Sequence, residues 1–463
     1  MPQHLSDTPW DIGILGGGPG GLLTARMLEQ TAAVPPSISI IEASDRVGGK
    51  VLTSMFNALP VPYEAGAAEL YDYSAIDEDP LKQLIADLGL PIQPLDGSSL
   101  IHNDQLIGNL DDLRDSLGSE AAAALVQFHH RGRDRLSPRE FYEALPVPSL
   151  DGCEGGSFET LLASIQSPAA RRYVERFIHS DLATEASRTS RRYGLENYLM
   201  NDPAYMQLYC VAGGNEQLIE AIVSRLSAQI ERQVRAISVG RGADGRLTVE
   251  TESAGGRSQR SFDAVVLALP IEPLKHLRFH GDGLHTAMQR HIAHHDHPAD
   301  YLRVSILFDK AFWRGRWDDA YCMLEDFDGC CLYDESARDP AEDHGVLGWL
   351  LGGEAAVAWS QRPDAEIVEA AISALPSWLR EPARHHQLEV RVHRWIGAVS
   401  SLPGGWQPLP LDRRHQPDAT DHPTLFVVGD YLFDSTLNGV HDSAEYVADW
   451  LTTLMLDRPG SPA

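Results

Sequence analysis

The stretch Asp11–Lys50 reads DIGILGGGPGGLLTARMLEQTAAVPPSISIIEASDRVGGK. Its first apolar run, Ile12 to Leu15, breaks into GGGPGG and passes into a helical pattern, LLTARMLEQ. A second run, ISIIEAS, follows Pro35-Pro36. Near-continuous apolar strands on either side of a helix describe a β-turn-α-β unit of a parallel sheet buried on both faces. Within the turn, Gly16, Gly18 and Gly21 keep the G-x-G-x-x-G spacing, with Pro19 and Gly20 between the last two. The first glycine permits the tight turn, the second lets backbone approach a pyrophosphate, and the third allows close helix–strand contact. The helix N-terminus then faces the negative charge. Glu42 ends the second strand roughly 20 residues on, where a carboxylate accepts both hydroxyls of a ribose diol. Strand, glycine string, helix and acid together predict a dinucleotide site rather than a Gly-rich turn alone.

The rest of the composition narrows the class. With 463 residues, the chain has room for two to four domains of ~100–200 residues. Hydrophobic residues at 43% and charged residues at 22% are ordinary globular usage, which excludes wholesale disorder. Lysine and arginine number 38 against 66 acids, a net charge of −28, which argues against nucleic acid or an anionic membrane surface as main partner. No stretch approaches the ~18–20 apolar residues of a membrane-spanning helix. MPQHLSDTPW lacks the basic and apolar regions of a secretory signal. The five cysteines (Cys153, Cys210, Cys322, Cys330 and Cys331) are odd in number and form no CxxC. We therefore expect no disulfide framework and no zinc site, and a cytoplasmic location.

Along the chain, residues 76–205 read mostly helical. CVAGGNEQLIEAIVSRL opens another helix, and VRAISV, LTVETES and FDAVVLALP read as strands with DG and GG turns between them. From 275 to 410, strands (RVSILF, GVLGWLLGG, LEVRVHRW) surround one helix, DAEIVEAAISALPSWL. TLFVVGD and a closing helix end the chain. Dinucleotide-type elements thus recur at the start, middle and end, which predicts a discontinuous cofactor domain.

The continuation from Glu42, EASDRVGGK, resembles the E-x-x-x-R-x-G-G-R signature of the flavin amine oxidase superfamily, with Lys50 in place of the final arginine. Three further segments are similar to the same superfamily. VAGGNEQLIEAI looks like its G-G-x-x-x-L entry, followed by Val234 at the adenine position. FDAVVLALP looks like its returning strand, and LFVVGD with NGVHDSAEYVA like its terminal motif, with Val440 and Ala444 departing from the pattern. The resemblance implies a glutathione-reductase-like (Rossmann-type) FAD-binding domain, of the α/β class, from residues 1–75, 206–272 and 412–463. It implies an α+β substrate domain with a helical insertion from 76–205 and 273–411. It also implies non-covalent FAD on Gly16, Gly18, Pro19, Gly20, Gly21, Glu42, Arg46, Gly49, Lys50, Ala67, Val234, Gly429, Asp430, Gly439 and Val440. Arg46 and Lys50 would bring cations to the pyrophosphate. No metal is expected.

In this family the flavin accepts a hydride, usually from carbon next to nitrogen, and oxygen reoxidises it to give peroxide. The resemblance borders the flavin with the segment Glu64–Tyr71, the strand into FDKAFW, and Trp395. Arg303 takes the place of the family's frequent lysine: it would stabilise reduced flavin or clamp a substrate oxygen, or else be a strand arginine paired with an acid. Glu69 stands near where amino-acid-oxidising members place an arginine. It would bind an ammonium or accept a proton, or else be a solvated loop acid. The aromatic cage of monoamine oxidases is missing: its positions hold Thr436 and Ser400 or Ser401, with Tyr431 or Trp406 as substitutes from outside the motif. His291, His294, His295 and His297 read as an exposed polar loop rather than a metal site. His179 and Asp181 would face the pocket or else cap a helix, the cap being the preferred reading, and Trp349 reads as core. The expected function is FAD-dependent hydride removal from carbon adjacent to nitrogen in an amine, amide or modified amino acid. O2 is the expected acceptor, a homodimer is possible, and neither nucleic acid nor integral membrane association is expected. The alternative is a C–C desaturase or redox-neutral flavoenzyme acting on a lipophilic substrate.

Overall fold

A computed structural model describes residues 9–456 apart from 76, 98, 144–155, 339–342, 405, 407 and 434. Cys153 lies outside the described residues. The other four cysteines are buried and unpaired.

The first β-turn-α-β unit forms as its pattern requires. Strands Asp11–Leu15 and Ser37–Ile41 pair in parallel around helix Pro19–Thr31. They lie in a five-stranded parallel sheet ordered Gln229–Glu231, Ser37–Ile41, Asp11–Leu15, Ala264–Leu267, Leu425–Val427. Three distant stretches of chain therefore build one sheet. Ile12 and Ile14 face the first helix and the last, Leu437–Leu456. Leu15 and Val265 face the other way, against a four-stranded sheet. Gly13 has its own reason there: a Cβ would stand 2.9 Å from the Phe262 ring that covers it.

That second sheet runs Gly256–Phe262, Leu247–Ser253, Arg235–Arg241, Arg278–Phe279. Arg278–Phe279 pairs in parallel with Arg235–Arg241, and Leu284 and Met288 fill the same core. A division at 272/273 thus falls inside one packed unit, because the apolar side chains of 277–288 are buried against strands that precede them.

A seven-stranded mixed sheet carries the other half, in the order Gln387–Ser400, Pro298–Phe308, Gly345–Gly352, Cys330–Asp334, Tyr321–Leu324, Ser99–His102, Gln105–Ile107. Residues 76–205 are therefore less uniformly helical than their pattern suggests: Ser99–Ile107 forms the sheet edge and Ile92–Leu95 pairs with Gln207–Val211. The stretch DAEIVEAAISALPSWL also divides, into helices Asp364–Ala374 and Ser377–His386. Pro376 removes a helical N–H and pushes Leu375 to extended backbone. Helices Ser119–Arg135, Pro168–Leu182 and Arg191–Met200 share a core on one side of the sheet.

Alternation along Pro298–Phe308 decides what faces the site. Leu302, Val304, Ile306 and Phe308 enter the core with Trp313 and Trp349. The period of two then places Tyr301, Arg303 and Ser305 on the opposite face.

Candidate active site

Two features converge where the sheets meet: a glycine-lined groove and a buried cluster of charges. In the groove, Gly16 takes φ +111°, and a Cβ there would stand 2.2 Å from Ala268 O. A Cβ on Gly21 would stand 2.1 Å from Gly16 O. Gly18 differs: nothing lies nearer its Cβ position than Gly49 Cα at 3.9 Å, and it heads helix Pro19–Thr31 with no side-chain cap. First-turn N–H groups without a cap, beside an open glycine surface, fit an anion. Glu42 accepts from Gly17 N–H at 2.8 Å and from Ser44 N–H at 2.7 Å. Val234 N–H donates to Glu42 O at 2.9 Å, which brings that residue beside the acid.

The cations of this region are engaged by protein groups. Arg46 donates to Val47 O at 3.1 Å and to Gly49 O, holding the Gly48-Gly49 turn. Lys50 Nζ donates to Ala398 O at 2.8 Å and pairs with Asp430, tying the first motif to the last. At the last helix Thr436 is the cap, its Oγ1 accepting from Gly439 N–H at 3.0 Å. Val440 sits with its methyl 3.5 Å from the Gly20 Cβ position, an ordinary contact distance, whereas Val428 stands 2.9 Å from that position and leaves no room for a side chain on Gly20. Gly429 N–H donates to Ser443 Oγ at 3.1 Å.

The charge cluster lies between the seven-stranded sheet and the segment 64–71. Arg303 donates to Glu335 at 2.6 Å, both side chains 1% exposed, and its guanidinium stands 5.0 Å from the Tyr333 ring centre. Glu335 also accepts Glu64 N–H at 2.7 Å. Arg338 donates to Glu64 at 2.7 Å and to Ala68 O at 2.8 Å. Asn215 N–H donates to Glu64 at 2.8 Å, and Asn215 Nδ2 to Ala67 O at 3.0 Å. Segment 64–68 is thus clamped by three residues from two elements, the turn Glu335–Arg338 and the start of helix Glu216–Val223. Burial raises Glu64 above the usual carboxylate range, although the Arg338 charge opposes it.

Glu69 is not a solvated loop acid. It is only partly accessible, and its Oε2 is buried with no hydrogen-bond partner. Burial raises its carboxyl, opposed by the charge of Arg303 and a hydrogen bond from Tyr333. Asp181 does not cap its helix, which ends instead at Ala183 in the left-handed region. It accepts from Asn201 Nδ2 at 3.1 Å, and burial together with the charge of Glu69 pushes it up to about 7. Tyr71 and Tyr301 join them: burial first, then the charges of Glu69 and Asp181, raise both phenols well above the usual range. Partly accessible side chains in a setting that desolvates them describe an internal recess rather than outer surface. Trp395 pairs across strands with Tyr301 and donates to Ala65 O at 2.7 Å, which fixes its indole against the segment 64–68.

His179 likewise is no cap. It is buried between Glu185 at 3.1 Å and Gly329 O at 3.2 Å; burial lowers it, but the Glu185 hydrogen bond and charge outweigh this and raise it. The histidine run is not an exposed loop either. His291, His294 and His295 end helix Asp282–His295, where spacing of three and four puts them on one face. His291 and His295 pack against Tyr431, and Trp406 donates to His294 O at 2.9 Å. Burial pulls these imidazoles down to about 3 and about 2, so both are neutral. Tyr431 and Trp406 thus both pack against the histidines. Ser400 bonds Ser435, its N–H donating at 2.9 Å, and Ser401 Oγ donates to His297 O at 3.3 Å. Among the described residues, three potential ligands approach metal spacing only at His441, Asp442 and Glu445.

The model of a family described as flavin-containing amine oxidoreductase matches residues 19–451. The chain belongs to that family. This flavin amine oxidoreductase also shares its fold with solved structures. Putrescine oxidase bound to putrescine is 18% identical, over 96% of this chain and 99% of that one, with a TM-score of 0.70. Cyclohexylamine oxidase from Brevibacterium oxydans IH-35A is 17% identical over the same shares, with a TM-score of 0.70. The enzyme is an FAD-dependent oxidoreductase of mixed α/β fold. Its glycine groove fits the cofactor on its own geometry: an open glycine surface, an uncapped helix start and an acid beside the turn. Among the described residues, no helix of this flavin amine oxidoreductase is long and apolar enough to cross a membrane.

Glu335, Arg338, Tyr301 and Tyr333 escaped the sequence reading, whereas Asp181 reads there as facing the pocket or capping a helix and Tyr71 closes the segment read as bordering the flavin. For Tyr301 a signal was present, since it precedes Arg303 by two residues on one strand and shares its face. Glu335 carries no such local mark.

Proposed function

We propose that this enzyme oxidises a cationic amine without an α-carboxylate, removing hydride from the carbon bound to nitrogen. The observation that carries this reading is the charge balance of the recess. Both arginines are neutralised, Arg303 by Glu335 and Arg338 by Glu64, while among the described residues Glu69 and Asp181 have no such ion pair. A recess with surplus carboxylate attracts an ammonium and repels a substrate carboxylate.

FAD would be held non-covalently by Gly16, Gly18 and Gly21 at its phosphates, by Glu42 at a ribose, with Val234 beside the adenine, and by Asp430 and Gly439 toward the other end. Bound FAD supplies the hydride acceptor. The chain's own residues do the rest. Glu69 and Asp181 hold the ammonium, Trp395 and Tyr301 wall the recess, and Arg303 stays fixed by Glu335. Dioxygen would then reoxidise the flavin with release of peroxide, and the buried free thiols suit a reducing compartment.

Anaerobic titration of the purified enzyme with monoamines, diamines, amino acids and N-acyl amines tests the reading. Bleaching of the flavin bands by free amines, with recovery and peroxide on admitting oxygen, supports it. Bleaching by α-amino acids alone, or by none of the amines, rejects it.

A further inference from the structure

Along the last helix, Leu437–Leu456, the buried residues Ala444, Val447, Ala448 and Leu451 form one stripe at helical spacing, and all four join the core against the parallel sheet. Continued toward the start of the helix, the same stripe reaches His441, which is 6% exposed. An apolar side chain would suit that place. His441 instead brings a ring nitrogen, Nδ1, that is buried and has no hydrogen-bond partner among the described residues. A buried polar atom left in this state costs stability unless a ligand satisfies it.

The groups around that nitrogen are acidic. Asp442 Oδ1 lies 3.8 Å from His441 Nδ1. Glu445 follows one helical turn after His441, on the same side of the helix. One potential ligand atom from each of the three residues lies within 4.8 Å of the other two. Among the described residues, no lysine or arginine pairs with either carboxylate. His441 is the buried end of the group, Asp442 is half-buried and Glu445 is exposed, so a hydrated ion reaches the imidazole without any element having to open.

We propose that His441, Asp442 and Glu445 form a site for a divalent transition-metal ion of the zinc class. Zinc takes imidazole nitrogen and carboxylate oxygen at ~2.0–2.2 Å, and three protein ligands leave a fourth position for water. Ligand atoms of a tetrahedral site stand about 3.4 Å apart, so the two carboxylates have only to rotate inward by about an ångström. The imidazole selects against magnesium and calcium, which take oxygen ligands. A net charge of −28 raises the local concentration of cations. The ion would span the turn that contains Ser443, whose Oγ accepts from Gly429 N–H at 3.1 Å, and would thereby brace the join between the last helix and the terminal motif. The site stands apart from the amine reading and does not depend on it.

The test uses the FAD-bound enzyme, stripped of metal with a chelator and titrated calorimetrically with ZnCl2 near neutral pH. Wild type should bind one tight equivalent and keep it in the presence of excess MgCl2. His441→Gln should lose the tight site, and Asp442→Asn and Glu445→Gln should each weaken it by at least about 10-fold. Glu445 is exposed, so Glu445→Gln keeps the proposal falsifiable even if His441→Gln does not fold. Zinc should also raise the urea midpoint of wild type and leave that of Glu445→Gln nearly unmoved. Equal zinc binding by wild type and Glu445→Gln, which the other histidines of the chain can supply, means an adventitious ion only and overturns the proposal. A wild type that binds no zinc, or that exchanges it for magnesium, overturns it as well.

Discussion

Arg303 on strand Pro298–Phe308 and Glu335, just past strand Cys330–Asp334, meet at 2.6 Å over the strand between them, Gly345–Gly352, and Gly348 is what leaves them room. A Cβ on Gly348 would stand 2.5 Å from Glu335 Oε1 and 3.2 Å from Arg303 Nη2. The pair is buried, so removing one partner strands a charge rather than exposing it to water. Glu335→Gln should therefore cost ~3–5 kcal/mol of stability. Gly348→Ala, which crowds the same pair without removing charge, should cost ~1–3 kcal/mol. Urea midpoints of the three proteins check this, and a wild-type midpoint for Glu335→Gln would show that the pair does not hold the sheet.

The cradle makes a different kind of demand. At Gly21 an added methyl meets backbone, Gly16 O at 2.1 Å, and no side chain can rotate away. Gly21→Ala must therefore open the turn that carries Gly16 to Gly18. We expect a protein that keeps its far-ultraviolet circular dichroism but purifies without flavin absorbance. Full FAD content in Gly21→Ala would mean that the turn tolerates the shift.

These two cases show how much was legible in the sequence. Gly16, Gly18, Gly21 and Glu42 lie within one β-turn-α-β unit, so local spacing alone displays the groove. The parallel sheet was legible for the same reason, since its strands are short apolar runs bounded by glycine and proline. The recess is different. Glu335 follows a strand that is separated from Arg303's strand by Gly345–Gly352, and Asp181 feels the charge of Glu69 from a helix more than a hundred residues away. Such neighbours are set by long-range burial, and no local spacing pairs them. The histidines show the converse: HIAHHDHP looks like solvent-facing sequence, yet helix periodicity turns His291 and His295 inward onto Tyr431.

Asp181 also sets a slope in stability. Its folded pKa is raised to about 7 by burial first and by the charge of Glu69 second. A raised carboxyl contributes most when protonated, so its contribution is complete below the unfolded value of ~3.9 and is lost as pH rises through about 7. Above that, the ionised form costs on the order of 4 kcal/mol relative to a neutral isostere. Asp181→Asn should accordingly gain on wild type in denaturation midpoint between about pH 4 and about pH 8. Glu69→Gln should reduce the wild-type slope, because it removes one cause of the shift. Parallel wild-type and Asp181→Asn curves across this range would place Asp181 in water.

The sharpest consequence concerns the α-carboxylate. Phenethylamine and phenylalanine differ by that group alone, as do 1,5-diaminopentane and lysine. With Arg303 held by Glu335 and Arg338 by Glu64, the carboxylate of an amino acid finds no free cation at these two positions and meets Glu69 or Asp181 instead. Like charges ~4 Å apart at an effective dielectric of ~20 repel by about 4 kcal/mol, and protonation of one acid relieves only part of it. We expect each amine to reduce the flavin with a second-order rate constant at least ~100-fold above that of its amino-acid counterpart. Because the repulsion acts inside the recess, raising ionic strength should leave the ratio nearly unchanged. Glu335→Gln provides the internal control: freeing the Arg303 guanidinium should narrow the ratio by improving the amino acid. Equal rates within each matched pair, or a ratio that collapses with salt, would place the discrimination at the surface and deny the recess its charge selectivity.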